Sequence, residues 1–474
     1  MSYEIRADYS KRWLLPPSLE DWVGRDHPAR FIREFVDALD LQEAGFGVRE
    51  SVDGRPNYAA DHLLKVVLYG YMHRIRSFRK LEAACHEQLG LLWLTGNQAA
   101  DHNTLWRFWR DHRAALRKCL KLVIRAAVRA NLVGVVLHAV DGTKVGAHAS
   151  KESVWTRAQV QEVLAQLDAA VEEYMEQAEA AAAQDEGGAG YELPAGWQEQ
   201  MLRREQLREL AQQLEVEERD TIPEAEREAR FMRTRHEGSA LAYNAQIVAD
   251  AHSGLIVTAE VLTEGTDNHA LVPMLEQVQD HVGAVAQQTV ADAGYFSGEQ
   301  LERAERQGYA VLVPESDERK AAAHGPYSAA RFAYDAPNDC CVCPQGKVLT
   351  FDGIRTGPRG EELRQYRGRV CAACPVRREC TRERSGRTVR LGPHHEAIRR
   401  QRAQRRRAEN QALLRRRKAI VEYPFGLIKW AMEFRRFTVT GAAAVRVQWA
   451  LICTAFNLRR LHRDWVAGRL VLAS

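Results

Sequence analysis

The sequence predicts a mixed α/β core, a sheet flanked by helices, with an all-α N-terminal domain before it and two insertions within it. Three observations lead there. Apolar residues recur at helical spacing through the first 130 positions. Strand-like runs then alternate with helical ones between Leu132 and Val313. The composition shifts sharply twice, near Lys151 and again near Glu315.

The chain has 474 residues, 45% hydrophobic and 27% charged, which suits a globular protein of two or three domains. The residues MSYEIRADYSKRW hold no apolar signal-peptide core. The most apolar long stretch, Cys119 to Val140, is broken by Lys121, Arg125 and Arg129 and cannot cross a bilayer. A cytoplasmic protein without membrane contact is expected, and nothing suggests an organic cofactor. Net charge is only +4, but it is unevenly spread.

In the N-terminal part, Leu63, Leu64, Val67, Leu68 and Tyr71 form a helical stripe that Leu81, Ala84 and Cys85 continue. A turn follows at Thr95-Gly96-Asn97. Asn103 can cap a short helix from Thr104 to His112, which carries Arg107 and Arg110 beside Trp106 and Trp109. Helix, turn and basic second helix form the pattern of a helix-turn-helix DNA reader, with Thr104, Arg107 and Arg110 as contacts. A core helix with a solvated basic face fits the same residues.

Leu132 to Val140 reads as a strand ending at Asp141-Gly142, a hairpin-type turn. Residues 151–235 read as a helical-hairpin insertion. Thr156 and Gln159 suit a capping box there. One stripe is Val160, Val163, Leu164, Leu167 and Val171, the other Leu202, Leu207, Leu210 and Leu214, with a Gly- and Pro-containing break between them. Strands are expected at 240–249, 255–262, 288–291 and 310–313, with a helix from 268 to 282. Residues 315–395 read as a loop-rich, cysteine-bearing insertion. Ile398 to Ile420 reads as one helix, and Ala442 to Leu461 as another that packs on the sheet. The core is thus assembled from 131–150, 236–314 and 396–465, behind an N-terminal domain of 1–130.

Three acids stand out. Asp141 and Asp292 each end a strand, and Glu422 follows the basic helix, with Pro424 two residues on to kink the chain. Separately, each has an ordinary explanation: two turn residues, and a partner for Lys418 one helical turn away. Together they suit phosphoryl transfer. Two Mg²⁺ or Mn²⁺ ions held by carboxylates can activate a water or 3′-hydroxyl and stabilise a leaving oxygen.

The stretches GRPNYAADHLLKVVLYGYMHRIRSFRKLEAAC, HNTLWRFWRDH, AVDGTKVGAHAS, YNAQIVAD, VADAGYF and VEYPFGLIK occur in that order. With them, nearly the whole chain resembles the DDE transposases of bacterial insertion sequences. The branch is the one whose third motif is a tyrosine–arginine–glutamate–lysine series. The resemblance implies a ribonuclease-H-like catalytic core and a helical N-terminal domain that helps bind element ends. It implies that Asp141, Asp292 and Glu422 are a metal-holding triad, and that the partner is double-stranded DNA engaged by a protein homodimer, near the nucleoid. The family's lysine falls on Lys429. Its arginine falls on Lys418 and its tyrosine on Arg415, so both depart from the pattern. Lysine keeps the charge but loses the bidentate fork for phosphate. Arg415 leaves no aromatic ring at that position.

Six of the nine cysteines lie between Cys340 and Cys380. In a reducing compartment this clustering favours metal over disulfides. Cys371, Cys374 and Cys380 with Cys343 could hold a structural Zn²⁺. Cys340 or Cys341 could replace Cys343, and a small packed insertion with free thiols is the other reading. Between Arg399 and Lys418 there are ten basic residues and one acid, Glu409. So lopsided a run suits DNA phosphates better than self-neutralising surface pairs. Three functions remain open: a transposase that cuts and joins, a nuclease of the same fold that does not join, and a non-catalytic DNA-binding derivative.

Overall fold

The computed structural model describes residues 18–47, 57–184, 196–234, 238–315, 325–358 and 360–472. The N-terminal stretch 1–17 and most of the break at 187–197 lie outside them.

Helices alone fill the described residues before the first strand. They are α1 (Leu19–Trp22), α2 (Pro28–Asp37), α3 (Leu41–Ala44), α4 (Ala60–Met72), α5 (Phe78–Glu87), α6 (Leu89–Leu94), α7 (His102–Asp111) and α8 (Arg113–Arg129). The cap of α7 differs from expectation. Asp101, not Asn103, accepts the Thr104 N–H at 2.9 Å, so the helix starts earlier and Asn103 lies in its first turn.

Eight strands follow: β1 (Leu137–Gly146), β2 (Val154–Thr156), β3 (Thr221–Pro223), β4 (Arg230–Thr234), β5 (Gly238–Asp250), β6 (Ile256–Leu262), β7 (Gln288–Val290) and β8 (Val311–Leu312). β2 and β3 pair with each other, and the other six form one sheet. β4 and β6 share one edge of β5, and β1 takes the other edge, all three antiparallel to β5. β7 joins β1 and β8 joins β7, both parallel. Asp141-Gly142 is therefore no turn. β1 runs straight through it, with Asp141 opposite Ile247 and Gly142 opposite Gln246. Glycine serves there because a Cβ would run into the side chains of Gln246 and Asn244.

The segment between β1 and β5 contains α9 (Arg157–Gln184) and α10 (Trp197–Val216). Thr156 and Gln159 exchange the expected capping bonds at 2.9 and 3.2 Å. Val160 packs with Leu207, Leu210, Leu214 and Ile222, while Tyr174 meets Trp197 at the far end. The pair is thus an antiparallel hairpin. Leu202 is exposed, outside that core. The composition places β4 in this insertion, but β4 pairs with β5 and extends the main sheet.

Helices α11 (Leu271–Val282) and α12 (Gly298–Arg306) cross between strands. The cysteine-bearing region is a five-stranded antiparallel sheet rather than loops. Its strands are β9 (Ala333–Asp335), β10 (Cys340–Val342), β11 (Val348–Thr356), β12 (Glu362–Arg367) and β13 (Thr388–Leu391), with the short α13 (Arg377–Cys380) before β13. The arginine-rich stretch is two helices, α14 (His395–Arg405) and α15 (Ala408–Gly426). Asn410 braces the break between them, its amide donating to the Gln404 carbonyl at 2.8 Å. Glu422 lies within α15, which runs past Pro424 and ends in a π turn, Leu427–Ala431. The last helix, α16 (Ala442–Val466), is buried along most of its length. One continuous cluster of buried side chains includes the N-terminal helices, one face of the sheet and α16. Among the described residues, no helix is long and apolar enough to cross a membrane.

Candidate active site and cysteine centre

β1 delivers Asp141 into a mostly buried position between β5 and β7. Its Oδ1 accepts the Gly142 N–H at 2.8 Å, and its Oδ2 accepts from the Arg417 guanidinium of α15 at 2.8 Å. Burial pushes its carboxyl pKa up, Arg417 pulls it back, and the negative charge of Asp292 pushes it up again. The net shift is upward. Asp292 follows β7 and caps a single helical turn, accepting the Gly294 N–H at 2.8 Å. These two predicted residues therefore share one electrostatic environment.

Five further side chains join them. Asp267 Oδ1 accepts from the amides of Asn244 at 2.6 Å and Gln246 at 2.7 Å. Its Oδ2 and the Asp292 Oδ1 flank Gly294, each 3.0 Å from where a Cβ would stand. The Lys144 ammonium is 3.9 Å from Asp267. Burial lowers the Lys144 pKa, while Asp267, Asp292 and Asp141 oppose that shift. The Tyr295 hydroxyl donates to Gln246. Burial foremost, then the same three acids, hold its pKa well above the usual value. Lys144, Gln246 and Tyr295 lie inside the sequence stretches that carry the resemblance. Asp267, in Gly265-Thr266-Asp267-Asn268, lies in none of them and had no local signal.

Glu422 is not drawn into this group. It is 57% exposed and lies 3.5 Å from the Lys418 ammonium on the outer face of α15. Arg415 is exposed on the same face, because positions 415, 418 and 422 recur at helical spacing. Arg417 and Val421 face the sheet instead. Lys429, carried past the helix by the π turn, donates to the Thr143 hydroxyl on β1. Asp141 and Asp292 offer hard oxygen donors that suit a divalent cation. Glu422 in this arrangement does not complete the set. Among the described residues, no three His, Cys, Asp or Glu side chains are gathered to hold a metal ion.

The cysteines divide cleanly. Cys343, Cys371, Cys374 and Cys380 line one small cavity. The Cys343 sulfur accepts the Lys347 N–H at 3.3 Å. Burial raises the Cys380 pKa, Arg387 lowers it, and the other three thiols raise it again. Cys341 instead belongs to the small apolar core with Leu349, Tyr366 and Val389, and Cys340 is buried beside it on β10. On α7, Leu105, Phe108 and Trp109 are buried, while Trp106, Arg107 and Arg110 are exposed. Arg110 stacks over Trp106 at 4.8 Å. The Thr104 hydroxyl is engaged by Asp101 at 2.7 Å.

Two family models match the chain. Residues 342–462 match the transposase DDE domain, and residues 17–111 match the transposase domain DUF772. The first covers the four cysteines, Glu422 and Lys429, and the second covers Arg107 and Arg110. Asp141 and Asp292 lie outside both. No curated protein matches the chain. Each match covers less than half of the chain, and together they support a transposase function.

Proposed function

We propose that the protein is a DNA transposase that cuts at the ends of a mobile element and joins the freed 3′-ends to target DNA, as a homodimer on double-stranded DNA. The observation that carries the reading is the placement of half-buried Asp141 and Asp292 on and just after the neighbouring parallel strands β1 and β7, where each feels the other's charge, in a chain that matches two transposase domains. The sheet supports a ribonuclease-H-like core: three antiparallel strands, β6, β5 and β1, continue into the parallel β7 and β8. With Glu422 turned inward from its present outward position, Asp141, Asp292 and Glu422 would hold two Mg²⁺ or Mn²⁺ ions, which would supply activation of the attacking oxygen and stabilisation of the leaving one. Arg415, Lys418 and Lys429 would contact DNA near Glu422, and Thr104, Arg107 and Arg110 would contact element ends. Cys343, Cys371, Cys374 and Cys380 line one cavity without being gathered to ligand distance, and would hold structural Zn²⁺ by drawing together around it.

A non-catalytic DNA-binding derivative is the second reading, favoured by the outward Glu422 and by the Arg417 contact on Asp141. Cleavage and strand-transfer assays on labelled element ends separate the two. Asp141→Asn, Asp292→Asn and Glu422→Gln should each lower both activities by more than the roughly 10–100-fold cost of losing a ligand's outer partner. End binding should persist. A folded variant that still cuts at the parent rate would remove its residue from the triad. A parent that binds ends but never nicks them with Mg²⁺ or Mn²⁺ would favour the derivative.

A further inference from the structure

We propose that Trp430, with Arg435 stacked on it, is a platform for an unpaired DNA base beside the candidate active site. The choice of ligand rests on the transposase reading above, but the geometry stands independently. In the segment from the π turn to Phe437, Ile428, Met432, Phe434 and Phe437 are at most 1% exposed, whereas Trp430 is 65% exposed. Core packing therefore accounts for the other large apolar residues and not for this one.

The ring stands on a fixed base. The π turn closes with the Met432 N–H donating to the Leu427 carbonyl at 2.8 Å, a backbone form that recurs at functional sites. The segment is then tied to β1. The Gly146 N–H donates to the Arg435 carbonyl at 3.1 Å, and the Phe437 N–H donates to the Gly146 carbonyl at 2.8 Å. Lys429, the residue before Trp430, donates to Thr143. Thr143 is two residues from Asp141 on one strand, so both side chains lie on the same face of the sheet. Trp430 thus borders the face that carries Asp141.

Its surroundings select a polyanion with flat bases. The Arg435 guanidinium lies 4.2 Å from the ring centroid, and its Nε is 3.4 Å from the Lys429 carbonyl. Lys429, Arg435 and Arg436 are the nearby cations in sequence. The one acid among them, Glu433, is paired with Arg74 at 3.0 Å. Bases stack on such rings regardless of sequence, and arginine adds to the contact. In a duplex, neighbouring pairs cover the faces of each base. Away from a duplex end, only an unpaired or extruded base can therefore lie on Trp430.

The test uses the full-length protein in EDTA with two probes. One is a blunt duplex. The other is the same duplex with a single-stranded 3′ tail carrying 2-aminopurine. Trp430→Ala should weaken binding of the tailed probe roughly tenfold and relieve its fluorescence quenching, with blunt-duplex affinity changed less than about twofold. Trp430→Phe should retain most of both effects. Equal loss on both probes, or no loss on either, overturns the platform while leaving the transposase reading intact. A parent that binds neither probe overturns both. If Trp430→Ala abolishes self-association in sedimentation but leaves both affinities unchanged, the ring serves a protein interface and the proposal fails.

Discussion

Asp141 is subject to opposing demands, and the balance has a measurable consequence. Burial and Asp292 outweigh Arg417, so its folded-state pKa lies above the unfolded one. For a carboxylate, that sign means the charged form costs stability above the folded pKa. The cost vanishes as pH falls through the ordinary carboxylate range, about 4. In EDTA near neutral pH, Asp141→Asn should therefore melt at or slightly above the parent temperature, with the difference closing under acid. Mn²⁺ should then raise the parent melting temperature more than that of the variant, because the ion binds the folded state and the variant lacks a charged ligand. Equal metal-induced shifts in thermal melts would take Asp141 out of any shared metal site. Asp141 and Asp292 were legible in the sequence because each ends a short apolar run. Arg417, Lys144 and Asp267 were not, because their roles arise from contacts across more than a hundred residues, across strands or between loops. Glu422 was legible as a residue, but its outward direction was not.

At the scale of elements, periodic stretches read well and irregular ones did not. The helical stripes of α4, α9 and α10 and the strands β5 and β6 fall where their apolar spacing places them. The cysteine-bearing sheet was missed because its longest strand, β11, leaves Val348, Phe351 and Ile354 exposed, which blurs the alternation that marks a strand. The break between α14 and α15 carries no glycine or proline, so no sequence breaker announced it. Pro424, placed to kink the chain, lies inside α15, where it cannot donate to the Ile420 carbonyl, and the regular helix gives way to the π turn three residues later. Among the described residues, the hydrophobic cluster of the cysteine sheet has four buried side chains, Cys341, Leu349, Tyr366 and Val389. A core that small needs a staple. One zinc per chain is expected by metal analysis of untagged protein. Prolonged chelation should open residues 325–391 to protease while the main core resists. Cys343→Ala should reproduce that sensitivity without chelator. Cys340→Ala, which removes a buried thiol outside the four-thiol cavity, should retain the zinc. Folded protein without zinc, or zinc lost from the Cys340 variant alone, would refute this ligand set.

At the scale of the whole molecule, the N-terminal helices and the sheet are joined through α16. This helix packs on β6 on one side and on α8, α4 and α2 on the other. Two polar anchors fix it. The Trp449 indole donates to the Gln246 carbonyl at 3.0 Å. The Asn457 amide accepts the Ile256 N–H at 2.9 Å and donates to the Ile256 carbonyl at 2.8 Å. Asn457 thereby acts as a substitute strand for the start of β6, in a fully buried setting. Asn457→Ala would leave both backbone groups of Ile256 unpaired, at about 1–3 kcal/mol each, so a loss of roughly 2–6 kcal/mol is expected. The location of that loss distinguishes two architectures. If the helices and sheet unfold as one body, amide hydrogen exchange should accelerate together in α4, α8, β5 and β6, by a similar factor in each. If they are separate folding units, exchange should rise in β5 and β6 while the slowest amides of α4 and α8 keep their parent rates. The continuous buried cluster favours the first outcome. A DNA contact made on α7 would then be felt at β1 through one packed core, with no flexible joint between them.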